Sequence, residues 1–353
     1  MKYYLECLGC GTTYKHTYRF QTCSKCAKNL EVIYTEKSKR IKAESGDVWD
    51  YEFFLPADTY KHYVLGGTKL IKSRKHDNLY LKLEVENPTG SFKDRGSVVE
   101  IMKAKEYGYN EITCASTGNM AYSLSYYSNL EGFDARVFIS NDANRNKVKE
   151  IKEIGNAKVV NVNGDFNKAM DLAYRYSKKN NAFLTGDYCY RKEGQKTLMY
   201  EIMDQMPSLT HLIIPVGNAT LLSGVWKALK EMRQCGMIKR FPKMVAVQAE
   251  RCDPLVRAFK ARTELKYVKP RTKADAIAVG YPTFGYQGLD AIRETGGTAI
   301  TISEEEMHEQ QKRFHDNYGL VAELAGVAPI VAYKKLNLRQ GDKVVAIVSG
   351  GNV

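Results

Sequence analysis

No stretch of this 353-residue chain holds apolar residues together for the ~20 positions that a membrane-spanning helix needs. The opening Met1-Lys2-Tyr3-Tyr4-Leu5-Glu6-Cys7 lacks the long apolar core of a signal peptide, so a cytoplasmic protein without a membrane partner is expected. There is no basic arm and no aromatic RNA-binding signature. The net charge of +13 comes from lysines and arginines spread along the chain and interleaved with acids, as in Glu150-Ile151-Lys152-Glu153. That pattern is a solvated basic surface, and nucleic acid is not an expected partner. Internal repeats and low-complexity segments are absent too. The loop at 215–220 is not a Walker loop, since no Gly-Lys-Ser/Thr follows, and it lacks the three-glycine dinucleotide fingerprint.

What is present is the composition of an ordinary globular protein, 44% hydrophobic and 26% charged, and long enough for two lobes and a small module. Residues 79–85 alternate between apolar and polar with a period of two, and 92–107 follow at helical spacing. The same rhythm predicts strands over 112–115, 136–139, 158–162, 211–216, 244–248, 299–302 and 343–348. Helices are expected over 120–130, 147–154, 166–178, 221–232 and 253–260, with Asp165 as an N-cap and Ser303 with Glu306 as a capping box. Repeated βα units mean a mostly parallel sheet covered by helices.

Eight cysteines fall into two groups. Cys114, Cys189, Cys235 and Cys252 are scattered in mostly apolar surroundings and read as reduced thiols. Cys7, Cys10, Cys23 and Cys26 form CxxC-x12-CxxC, in which two knuckles close a four-thiolate site for a structural Zn2+. Two disulfides or four idle thiols are the alternatives, and a cytosolic setting favours zinc.

Four strand-to-helix junctions carry unusual residues, at the place where open α/β sheets bind ligands. In Asn87-Pro88-Thr89-Gly90-Ser91-Phe92-Lys93-Asp94-Arg95-Gly96, Ser91 and Asp94 read as a capping box. Lys93 then lies in the first helical turn, where the macrodipole disfavours a cation and favours the free amine that imine chemistry needs. Ser116-Thr117-Gly118-Asn119 exposes backbone N–H groups suited to a carboxylate or phosphate. Pro215-Val216-Gly217-Asn218-Ala219-Thr220 suits a phosphate cradle, and Ser349-Gly350-Gly351-Asn352 ends the final strand. One lysine, an anion loop, a phosphate cradle and a polar strand end together describe a site for pyridoxal 5′-phosphate (PLP).

These residues resemble the fold-type II PLP enzymes, most closely the threonine synthases. The lysine motif, Ala115-Ser116-Thr117-Gly118-Asn119, Gly194-Gln195-Lys196-Thr197, the Pro215–Ala219 block and the four-cysteine ribbon all carry the likeness. It implies a tryptophan-synthase-β-like α/β fold of two lobes of mostly parallel sheet with an N-terminal zinc ribbon. The expected division is a ribbon at 1–40, a large lobe at 41–84 and 181–353, and a small mobile lobe at 85–180. The resemblance implies that Lys93 forms the internal imine and is the general acid/base. Asn119 would hydrogen-bond the PLP phenolic oxygen. Gly217, Asn218, Ala219, Thr220 and Leu221 would hold its phosphate, and Ser349 its pyridine nitrogen. Ser116, Thr117 and Met120 would bind the substrate carboxylate, and Arg191 with Thr185 the substrate's distal phosphate. A homodimer acting on a small amino acid in biosynthesis is implied as well.

Thr185 and Gly186 stand where threonine synthases usually carry Asn-Ser, and Lys69 follows Thr68 where proline is usual. The expected chemistry is elimination and replacement at the β or γ carbon of an activated, O-phospho amino acid. The changes at Thr185 and Gly186 predict weaker use of O-phosphohomoserine than of a shorter substrate. β-Replacement on O-phosphoserine and dehydration of threonine or serine are the alternatives. A non-enzymatic nucleic-acid binder is opposed by the intact Lys93.

Overall fold

The computed structural model of the chain describes residues 2–36, 46–57, 63–116, 118–140, 145–164 and 166–351. In chain order its elements begin β1 (Tyr3–Cys7), β2 (Thr13–Lys15), β3 (Leu30–Tyr34), β4 (Leu70–Lys72), β5 (Leu79–Leu83), α1 (Lys93–Glu106), β6 (Glu111–Ala115) and α2 (Asn119–Glu131). Next come β7 (Asp134–Ser140), α3 (Arg145–Glu153), β8 (Ala157–Val162), α4 (Phe166–Asn180), β9 (Phe183–Leu184), α5 (Cys189–Gln205), β10 (His211–Pro215) and α6 (Thr220–Gln234). The last are β11 (Lys243–Ala249), α7 (Pro254–Ala261), α8 (Gly285–Glu294), β12 (Thr298–Ile302), α9 (Glu304–Tyr318), α10 (Leu324–Tyr333) and β13 (Val344–Val348). Among the described residues, no helix is long and apolar enough to cross a membrane.

The chain forms two compact units. The first gathers Met1–Ser38, Tyr51–Val64 and Lys93–Gln195, and the second Lys39–Asp50, Leu65–Phe92 and Lys196–Val353. The ribbon therefore belongs to the same unit as α1. The changes of unit at Lys93 and Lys196 come later along the chain than the 85 and 181 expected from sequence.

In the first unit, β1 to β3 make an antiparallel sheet in the order β2-β1-β3, and a parallel sheet runs β8-β7-β6-β9. Ala169 and Ala173, one turn apart on α4, pack with Ala115, Phe138 and Val162 of that sheet. The second unit holds the sheet β12-β11-β10-β13-β5-β4, parallel except for the edge strand β4. Every residue of β10 and β13 is buried, as a strand covered on both faces requires. Val344, Ala346 and Val348 of β13 share a core with Leu79, Leu81 and Leu83 of β5 and with Ala328 and Val331 of α10. Each large aliphatic side chain buried there contributes about 1.5–3 kcal/mol.

The strand expected over 79–85 stops at Leu83, because Glu84 to Glu86 curl into a 3-10 turn. The cause is polar. The buried Glu84 carboxylate accepts from Thr68 Oγ1 at 2.7 Å and from Asn87 Nδ2 at 2.9 Å, bonds that a continuing strand would not bring together. The capping box at Ser303 and Glu306 is present, with Glu306 N–H donating to Ser303 Oγ at 3.2 Å and Ser303 N–H to Glu306 Oε2 at 2.9 Å. Asp165 lies outside the described residues.

Candidate active site

The turn that delivers Lys93 is fixed in the second unit. Asn87, its first residue, donates to Glu84 and accepts from Gly66 N–H at 3.0 Å. Gly90, at φ +72°, bends the chain, and its carbonyl accepts from Gly351 N–H at 2.9 Å. Ser91 pairs with Gly350, and Phe92 N–H donates to Ser349 O at 3.0 Å. The serine expected to meet the pyridine nitrogen is thus stitched to the residue preceding Lys93. Ser91 does not form the expected capping box. Its buried hydroxyl has no hydrogen-bond partner among the described residues, and Asp94 Oδ1 instead accepts from Ser123 Oγ of α2 at 2.6 Å.

Lys93 opens α1, as its place in the motif required. In the same unit Asn119 opens α2, and Met120 follows it; both are buried. Ser116 Oγ accepts from Gly118 N–H at 3.4 Å and from Ala121 N–H at 3.3 Å, tying the strand end to the helix start. Thr117 lies outside the described residues.

In the second unit Gly217 to Leu221 lead into α6. Ala219 adopts φ +59°, and a Cβ on Gly217 would come within 2.8 Å of Ala276 O, so the loop needs its small residues. Asn218 O accepts from Phe284 N–H at 3.0 Å, and Asn218 Oδ1 accepts from Thr283 Oγ1 at 3.1 Å. A braced loop running into a helix N-terminus is the donor set that a phosphate requires.

Two residues expected to touch the substrate have other duties. Thr185 Oγ1 donates to Thr113 O at 3.0 Å. Arg191 is fully buried, its guanidinium ion-paired with Glu100, with Nε donating to Gly186 O at 3.0 Å and Nη1 to Lys93 O at 3.5 Å. Glu100 also accepts from Gly186 N–H at 2.8 Å. Burial pushes the Glu100 carboxyl up to about 7, against the pull of Arg191 and that N–H. Glu100 was missed from sequence, although an acid flanked by Val98, Val99, Ile101 and Met102 on a buried helix needs a partner. Gln195 belongs to the Gly194–Thr197 block of the resemblance. Both polar atoms of its buried side chain lack a hydrogen-bond partner among the described residues.

At the ribbon, the Sγ atoms of Cys7, Cys10, Cys23 and Cys26 all lie within 4.8 Å of one another, and none is in a disulfide. Cys7 and Cys26 are 3.3 Å apart and Cys10 and Cys23 3.6 Å, close to the ~3.8 Å edge of a tetrahedral zinc–thiolate site. N–H groups of Gly9 and Lys25 donate to Cys7 and Cys23 sulfur at 3.3 Å each, as thiolate ligands accept them.

The family of pyridoxal-phosphate dependent enzymes matches residues 62–350. The chain belongs to that family. It is 36% identical to the threonine synthase of Methanocaldococcus jannaschii over 98% of this chain and 91% of that protein. Against the threonine synthase of Methanosarcina acetivorans the figures are 35%, 99% and 91%. Among solved structures, maize serine racemase superposes with a TM-score of 0.71 at 22% identity, over 81% of this chain and 88% of that one. The processed form of threonine deaminase isoform 2 from Solanum lycopersicum gives 0.69 at 21%, over 81% and 84%. The fold is that of the fold-type II PLP enzymes, and the chain is a threonine synthase-like, PLP-dependent enzyme.

Proposed function

We propose that this enzyme releases phosphate from an O-phospho amino acid and adds water, with O-phosphohomoserine as substrate and threonine as product. The single observation that carries the reading is the likeness to threonine synthases along nearly the whole chain. Bound PLP supplies an electron sink beside the substrate Cα. Lys93 would hold the cofactor covalently and, once freed, move protons at the substrate carbons. Asn119 would hydrogen-bond its phenolic oxygen, Gly217 to Leu221 would hold its phosphate, and the neutral Ser349 hydroxyl would serve its pyridine nitrogen. Ser116, Thr117 and Met120 receive the substrate carboxylate. The Cγ–O bond to phosphate breaks, and water supplies the new Cβ hydroxyl. Thr185 and Arg191 border the distal end of the substrate, where Arg191 acts chiefly by holding Gly186. Cys7, Cys10, Cys23 and Cys26 hold one structural Zn2+. The family likeness further supports a cytoplasmic homodimer that uses no nucleic acid.

A second reading, β-replacement on O-phosphoserine, is favoured by one observation. The side-chain donors of Thr185 and Arg191 are engaged within the protein, which leaves fewer for a distal phosphate. Measuring kcat/KM for O-phosphohomoserine and O-phosphoserine under identical conditions decides between them. The first reading expects O-phosphohomoserine to be preferred, and preference for O-phosphoserine overturns it.

A further inference from the structure

We propose that the four-cysteine ribbon is a positioning platform for α1, so that the geometry of the cofactor lysine depends on a folded ribbon. The proposal rests on the reading of Lys93 as that lysine.

Two sets of contacts carry it. The first grips α1 directly. Lys103, fully buried on α1, donates to Tyr3 Oη of β1 at 2.8 Å. Its ammonium lies 4.4, 5.3 and 5.5 Å from the ring centres of Tyr107, Tyr190 and Tyr3. Just past the helix, Tyr107 Oη donates to His16 O at 2.6 Å, and Arg19 of the ribbon donates to Tyr107 O. A buried ammonium that lost the Tyr3 hydroxyl and ring would lose part of what offsets its desolvation.

The second set runs through α5. Gln21 donates to Leu184 O and Asn29 Nδ2 to Asp187 O at 3.3 Å. On α5 itself, Lys192 pairs with Glu31, and Tyr34 Oη donates to Glu193 Oε2 at 2.8 Å. The neighbouring Arg191 and Gly194 lie against the first turn of α1. Arg191 reaches Lys93 O, and a Cβ on Gly194 would come within 1.9 Å of Arg95 O. The helices cross without slack, so a displacement of α5 is a displacement of the turn that holds Lys93. The ribbon has few core residues of its own, Tyr3, Leu5, Leu30 and Val32 among them, so its folding is linked to its thiolate site.

The test uses the full-length, cofactor-loaded protein in two forms: stripped of metal by a chelator under reducing conditions, and as the double variant Glu31→Gln, Tyr34→Phe with all thiols intact. Two quantities are read, amide exchange over residues 93–106 and the pH titration of the visible absorbance of the lysine-bound cofactor. The expected result is exchange faster by about tenfold and a titration midpoint moved by more than ~0.5 unit. Added Zn2+ reverses both in the stripped form. Faster exchange confined to residues 2–36, or an unmoved titration, overturns the proposal. Lys93→Ala separates the causes. If it keeps the visible absorbance, the reading of Lys93 has failed and the proposal with it. If it loses the absorbance while the ribbon forms change nothing over 93–106, the proposal alone has failed.

Discussion

The place of Lys93 at a helix start was readable from sequence because its constraint is local. A turn built from Pro88 and Gly90 puts it at the start of a helix, and the structure begins α1 on that residue. Borohydride reduction of the loaded protein is expected to leave a pyridoxyl mass on the peptide containing Lys93, and Lys93→Ala to lose the visible absorbance. A pyridoxyl mass on another lysine contradicts the assignment. The pairing of Glu100 with Arg191 was not readable, because it joins residues 91 positions apart through tertiary packing. It has a pH signature. The Glu100 carboxyl is raised to about 7 in the folded protein, so between the ordinary glutamate range and about pH 7 the folded state binds more protons than the unfolded state. Stability from this group is fully present below that window and falls as pH rises through it. Urea titrations from pH 4.5 to 7.5 are expected to show this slope in the wild type and a flatter one in Glu100→Gln. Identical slopes contradict it.

Among the elements, several with a clear period were legible, although α8 (Gly285–Glu294) was not expected. The expected helix over 120–130 is Asn119–Glu131, and the strand over 244–248 is Lys243–Ala249. Helices α5 and α10 were not, for a physical reason. Leu324 to Ala332 are all buried, and α5 is buried along most of its length, so neither shows the polar face that gives a helix its period. The crossing of α1 and α5 makes a direct prediction. Gly194→Ala forces backbone to move at Arg95 O and is expected to cost at least about 1–3 kcal/mol in urea unfolding. Unchanged stability would mean that the helices are not that close. The ribbon was legible because cysteine spacing states its geometry outright, and metal analysis of protein purified under reducing conditions is expected to find about one zinc per chain. Oxidised, metal-free thiols in such a preparation contradict the zinc assignment.

At the scale of the whole molecule, each unit holds a mostly parallel sheet whose strands run into helices, the arrangement at whose strand ends ligands bind in open α/β folds. The alternation of strands and helices made that class legible. It did not reveal that the ribbon joins the unit of α1, since the contacts that decide this link residues 3, 16, 21, 29, 31 and 34 to others far along the chain. The most direct test of the account is to supply O-phosphohomoserine in 18O-labelled water and follow both products. The account predicts one phosphate released per threonine formed, with solvent oxygen in the threonine hydroxyl. Release of phosphate with a 2-oxo acid and ammonia, or no release at all, would contradict it.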